Sequence, residues 1–138
     1  MTRLLVSVVL LAAGTAGSWW AWLGWDHTYQ VDPVTGVTSG PYEAWQVVGC
    51  VLTLLVLAVL AALVRWWLPL AVMPIAFAVT WSAQAASEDV TGLWAVGAFM
   101  LAVGLAVGTL VVGGSVLVVR SLWDAWRSRG PAGGPVAG

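Results

Sequence analysis

The placement of its arginines constrains this chain more than any other feature. Arg3, Arg65, Arg120, Arg127 and Arg129 are its only basic residues apart from one histidine. They flank four stretches that carry no charged side chain: Leu4–Trp25, Ala44–Val64, Trp66–Ser87 and Val90–Val119. A helix needs about 20 apolar residues to cross a hydrocarbon core of roughly 30 Å, so each stretch is long enough. The acids fall in the other gaps, with Asp26, Asp32 and Glu43 in one and Glu88 and Asp89 in the other; only Asp124 shares a segment with arginine. Arginine bias in the loops sets orientation, cytoplasmic side basic. The pattern predicts an all-α integral membrane protein, a bundle of four transmembrane helices in the cell membrane. Its N-terminus, its C-terminus and Arg65 are expected in the cytoplasm.

Composition points the same way. Charged residues make up 8% of the 138, against about 25% in a soluble domain, while 61% are hydrophobic. The net charge of -1 hides the separation just described. Nucleic-acid binding is not expected, because it calls for a basic patch on a soluble face. Cys50 is the sole cysteine and falls inside the second span, so no intramolecular disulfide can form.

A single membrane domain over residues 1–129 follows, with spans at about 4–23, 44–64, 68–86 and 92–119. Residues 121–129 place Leu122, Trp123 and Trp126 near one face and read as an interfacial segment at the inner side. The Gly/Pro-rich stretch 130–138 reads as a disordered cytoplasmic tail. Arg3, the apolar run after it and the small residues Gly14, Thr15 and Ala16 have the make-up of a secretory signal peptide. The apolar run continues past them to Leu23, which favours an uncleaved first helix; cleavage would leave three spans in the same orientation.

Tryptophan offers a check independent of charge. Of 11 Trp, Trp19, Trp20, Trp22, Trp25, Trp45, Trp81 and Trp94 fall near outer helix ends. Trp66, Trp67, Trp123 and Trp126 fall near inner ends. Indole is amphipathic and favours the headgroup region, so two membrane belts account for all of them.

Between the first two spans, Gly24 to Glu43 is the one sizeable hydrophilic segment. Thr28–Val31 and Val37–Ser39 are rich in β-branched and aromatic residues and flank Asp32-Pro33-Val34-Thr35-Gly36, which predicts an extracytoplasmic β-hairpin. Pro69 suits the first turn of the third helix, and Pro74 lies deeper, where the helix is expected to kink or to begin irregularly. Asp89 reads as the N-cap of the fourth helix. The fourth stretch would be about 45 Å long if wholly helical, longer than the bilayer core, with Gly113-Gly114 as its natural bend.

Candidate chemistry is sparse. Intramembrane ionisable groups mark most ion and proton pathways, and the middles of these spans contain none. Polar residues gather at the outer end instead: Asp26 and His27, Glu43 with Gln46, and Gln84 with Glu88. Spacings of three and four put each helical pair on one face, so the six could line an acidic vestibule or bond across helices. One histidine with scattered acids predicts no metal site, and no cofactor is expected. No nucleophile with a base, and no phosphate-cradling loop, can be assembled, so enzyme activity is not expected. Gly97, Gly104, Gly108 and Ser115 lie on one face of the fourth helix, and small residues let helix backbones approach closely. That stripe is expected to pack either within the bundle or across a dimer.

No family pattern fits. Small multidrug exporters depend on a membrane-embedded glutamate in the first helix, and the disulfide-generating and quinone-reducing four-helix enzymes need cysteine pairs. The expected function is a non-catalytic accessory, scaffold or interaction subunit, whose partners are the lipid bilayer and another membrane protein or a further copy of itself. The alternative is a small oligomeric transporter or channel with an outer polar vestibule.

Overall fold

A computed structural model describes residues 1–26, 30–40, 42–88 and 92–129. It is built on four helices: α1 (Thr2–Trp22), α2 (Ala44–Val64), α3 (Leu68–Glu88) and α4 (Trp94–Ser128). All four are long and apolar enough to cross a membrane.

The helices begin and end where local chemistry requires it. Glu43 stands at the N-cap of α2 and forms a capping box with Gln46, each side chain accepting from the other's backbone N–H. An acid there also meets the positive end of the helix dipole. At the other end Arg65 turns extended, and Pro69 enters the first turn of α3, where its missing N–H is no loss. α3 runs on through Pro74 to Glu88, two residues beyond the expected limit. Gly92 has a φ of 74°, a conformation that favours glycine, and the chain enters α4 through Leu93 with no side-chain cap. The expected cap, Asp89, lies outside the described residues. α4 is an uninterrupted helix of 35 residues. Residues 121–128, most of the segment expected at the inner interface (121–129), continue α4 as its last turns, and Gly113-Gly114 does not break it.

Contacts arrange the helices in a ring, α1 beside α2 and α3, and α4 beside α3 and α2, with α1 and α4 on opposite sides. The core lies in two tiers. One holds Leu11, Ala58, Ala61, Leu68 and Met73; the other holds Trp19, Leu23, Cys50 and Phe77. Residues early in α1 thus meet residues late in α2 and early in α3, which makes the bundle up-and-down. Arg3 and Arg65 consequently share an end with Arg120, which donates to the Leu63 carbonyl. Leu63 is in the last turn of α2, where carbonyls lack helical partners and a cation is favourable.

Along α1 the buried positions Leu11, Thr15, Trp19 and Leu23 recur every fourth residue, one stripe facing the bundle. Trp19 is in register with that stripe and is 1% exposed, whereas Trp20 is 59% exposed. Trp19 is therefore a core residue and not a belt anchor, a correction to the reading that belts account for every tryptophan. Its indole N–H, buried, has no partner among the described residues.

Between α1 and α2, Gln30 pairs with Ser39 and Val31 with Thr38 in antiparallel sense. The intervening turn is held by Asp32, whose carboxylate accepts the N–H of Val34 (2.8 Å) and of Thr35 (3.3 Å), and by Gly36 at φ 67°. The two backbone N–H groups hold the Asp32 carboxyl below the usual carboxylate range.

Candidate functional site

The polar residues at the acidic end converge through α2. Gln46 is fully buried on the first turn of that helix. Its amide Nε2 donates to Asp26 Oδ2 (3.0 Å), just beyond α1, and its Oε1 accepts the Glu43 backbone N–H (2.6 Å). The Glu43 carboxylate in turn accepts from the Trp45 indole. Asp26, Glu43 and Gln46 are thus joined in one set. Gln84 lies half-buried near the end of α3, and its carbonyl accepts the Ser87 hydroxyl (2.7 Å). His27 and the side chain of Glu88 lie outside the described residues.

Three indoles cover the seam beneath this set. Trp45 meets Trp22 edge-on, with centroids 6.2 Å apart, and Trp25 lies 6.5 Å from Trp45. Trp22 reaches across to α2 and donates to Thr53 Oγ1 (3.0 Å). Sequence reasoning missed Thr53. The available signal was its mid-span position, where a hydroxyl needs a partner. Among the described residues no three His, Cys, Asp or Glu side chains gather as a metal site.

The small-residue stripe on α4 divides. At Gly97 a Cβ would come within 2.7 Å of the Trp81 ring, so α4 rests closely on α3 there. At Gly104 and Gly108 a Cβ would meet nothing within 4 Å, and Ser115 is exposed with its hydroxyl returned to the Val111 carbonyl. The expected close packing of Gly104 and Gly108 inside the bundle does not occur. The reason is that α4 meets α3 near Gly97 and the α2–α3 turn near Gly113, leaving the stretch between them clear of α2. Gly113 is the close approach that the stripe did not include: a Cβ there would lie 2.8 Å from the Trp66 carbonyl oxygen.

The open stretch forms one wall of an apolar cleft of about 620 Å³ between α2 and α4, floored by Met73, Phe77 and Trp81 of α3. At the arginine end, beyond the cleft, Arg127 lies over the Trp123 ring at 5.4 Å, a cation–π arrangement. Arg3 and Arg129 are exposed at the same end.

Comparison of the chain with protein-family models, with curated proteins and with solved structures gives no match.

Proposed function

We propose that this protein is a four-span component of the cell membrane with both termini and Arg65 in the cytoplasm, and that it works by interaction and not by catalysis. The reading is of an accessory or scaffold subunit. Its outer loop, a short extracytoplasmic hairpin, and the free face of its long fourth helix meet partner proteins. The amphipathic end of α4, with Arg120 and Arg127 opposite Leu122 and Trp126, lies at the inner interface.

One observation carries this: among the described residues the threonine hydroxyls of the spans and the Gln46 amide bond within the chain, the buried Trp19 indole N–H being the exception. Thr15 donates to the Leu11 carbonyl, Thr53 to Gly49, Thr80 to Ala76 and Thr109 to Leu105, each one turn back in its own helix. Gln46 is tied at both ends of its amide. A solute pathway would want such groups directed at a passage, so the transporter reading is the less favoured one.

Affinity purification from native membranes, with mass spectrometry of what accompanies the chain, tests the proposal; a stoichiometric membrane partner is expected. Solute flux in proteoliposomes that depends on Gln46 and Gln84 would overturn it in favour of the transporter. Orientation is tested separately: reporters fused after Gly138, at Arg65 and at Thr35 should score inside, inside and outside. A reporter at Arg65 scoring outside would reverse the topology.

A further inference from the structure

We propose that the arginine-bearing end of α4 is a docking surface for anionic phospholipid. Arg120 and Arg127, with Arg129 at the tip, meet headgroup phosphates of the cytoplasmic leaflet, while Val119, Leu122, Trp123 and Trp126 enter the layer beneath. The inference rests on the membrane-spanning reading above and names the lipid that this end takes.

The level at which α4 leaves the bundle is the first argument. A Cβ at Gly113 would lie 2.8 Å from the Trp66 carbonyl oxygen, so the α2–α3 turn stands at that level. Trp94 to Gly113 is about 30 Å of helix, the thickness of one hydrocarbon core. The helix continues to Ser128 without a break, and every residue from Leu117 to Arg129 is exposed. In all, α4 is about 52 Å long. A tilt of about 35°, inside the range that spans adopt, sets that length across the roughly 40–45 Å of a bilayer with its headgroup regions. The free end then reaches the inner headgroup layer.

Its two faces are the second. Val119, Leu122, Trp123 and Trp126 follow the i, i+3, i+4, i+7 spacing of one helical face, and all are more than half exposed. Arg120, Asp124 and Arg127 recur at four and three along the other. The faces point apart, so one partner helix would cover one of them and leave the other bare. A leaflet surface, apolar beneath and charged above, engages both at once.

The headgroup follows from charge. All five arginines belong to this end, against a single acid, Asp124. Among the described residues none of the five forms an ion pair. Arg120 donates to the Leu63 carbonyl and Arg127 rests on the Trp123 ring, and neither contact neutralises a charge. The excess attracts anionic headgroups, and a guanidinium matches phosphate oxygens with paired N–H donors. Trp66 and Trp67 are exposed at the same end, where indole favours the headgroup layer.

The test uses the full chain in vesicles of equal parts phosphatidylglycerol and phosphatidylcholine, extracted in mild detergent and weighed by native mass spectrometry. Phosphatidylglycerol is expected among the retained lipids in excess over phosphatidylcholine. The double variant Arg127→Gln, Arg129→Gln should lower that excess by about fivefold for each charge removed. Both positions are exposed beyond the level of the α2–α3 turn, so the bundle keeps its contacts. No excess in the wild type, or an unchanged excess in the double variant, would overturn the proposal. Spin labels at Leu122→Cys and Asp124→Cys measure depth independently, since Cys50 is buried and leaves the introduced thiol as the accessible one. In the same vesicles the Leu122 label should relax with dissolved oxygen and the Asp124 label with an aqueous nickel chelate. Equal access of both labels to the chelate would mean that this end stands in water as a face for a protein, and would likewise overturn the lipid site. Release of the chain from vesicles by alkaline carbonate would instead refute the membrane-spanning reading. A chain that stays in the membrane without the phosphatidylglycerol excess refutes the lipid site alone.

Discussion

The seam between α1 and α2 and the seam between α2 and α4 use the same kinds of residue to opposite effect. In the first, Gly49 receives the Trp22 ring, to which a Cβ would approach within 2.5 Å, and Trp22 is pinned by Thr53. A Cβ at Gly14 would meet the Leu57 methyl groups at 3.4 Å, and Gln46 bonds to Asp26. In the second, a Cβ at Gly104 or Gly108 would meet nothing within 4 Å, while toward the arginine end Arg120 reaches the Leu63 carbonyl. A glycine makes room, but whether the room is filled depends on the residue opposite. Trp22 fills it in one seam, and among the described residues nothing comes within 4 Å of a Cβ at Gly104 or Gly108 in the other.

The strongest way to break the first seam is Leu57→Arg. It sets a charge near mid-span, at a cost of roughly 2.5–3.5 kcal/mol on insertion scales. Loss of membrane-integrated protein on immunoblots of membrane fractions is expected; wild-type abundance would mean that Leu57 is not at bilayer depth.

Gly49→Leu comes next. Overpacking a filled site costs about 1–3 kcal/mol, and the Trp22 ring is held against Gly49 by its bond to Thr53. A lowered melting temperature in detergent is expected, and Gly113→Leu should behave alike because the obstacle there is the Trp66 carbonyl. Melting at the wild-type temperature for either variant would show that the approach is looser than drawn.

Gln46→Ala is smaller. It removes the reciprocal half of the capping box and the bond to Asp26, both at part-buried positions. Such losses cost about 1–3 kcal/mol where the group is buried, toward the low end here because Asp26 is only half-buried. Thermal unfolding of the purified variant measures it. Read from sequence, Gln46 could line a vestibule or bond across helices; buried and tied at both ends of its amide, it bonds across helices. Unchanged melting would return it to the vestibule.

Gly104→Leu sharpens the comparison by doing nothing to the fold. With nothing within 4 Å of its Cβ, melting temperature and oligomeric state are expected to match the wild type. A melting temperature lowered as far as in Gly49→Leu would erase the distinction between the seams.

Some of this was legible in the chain before any fold was known. The four helices, the limits of the first three to within two residues and the sorting of arginine from acid are set by local or additive properties; the end of α4, nine residues beyond the expected 119, was not. Spans 4–23, 44–64 and 68–86 met α1, α2 and α3 closely for that reason. The capping pair Glu43 and Gln46 was equally visible, since a spacing of three on a helix start needs no tertiary partner. The bond from Gln46 to Asp26 was not, because it links residues 20 positions apart across a loop whose path no local rule fixes.

The sequence by itself determined that this protein is built from four apolar helices with charge sorted between their ends. Length and the absence of charge are summed along one helix at a time, and no neighbour can change the sum. Tertiary structure alone decided which tryptophan enters the core and which glycines are filled. Trp19 and Trp20 are adjacent letters, and only the register of α1 against α2 and α3 buries the first and exposes the second. Gly49, Gly104 and Gly113 are the same letter, and only the group opposite each one makes two of them close approaches and the third the wall of an open cleft.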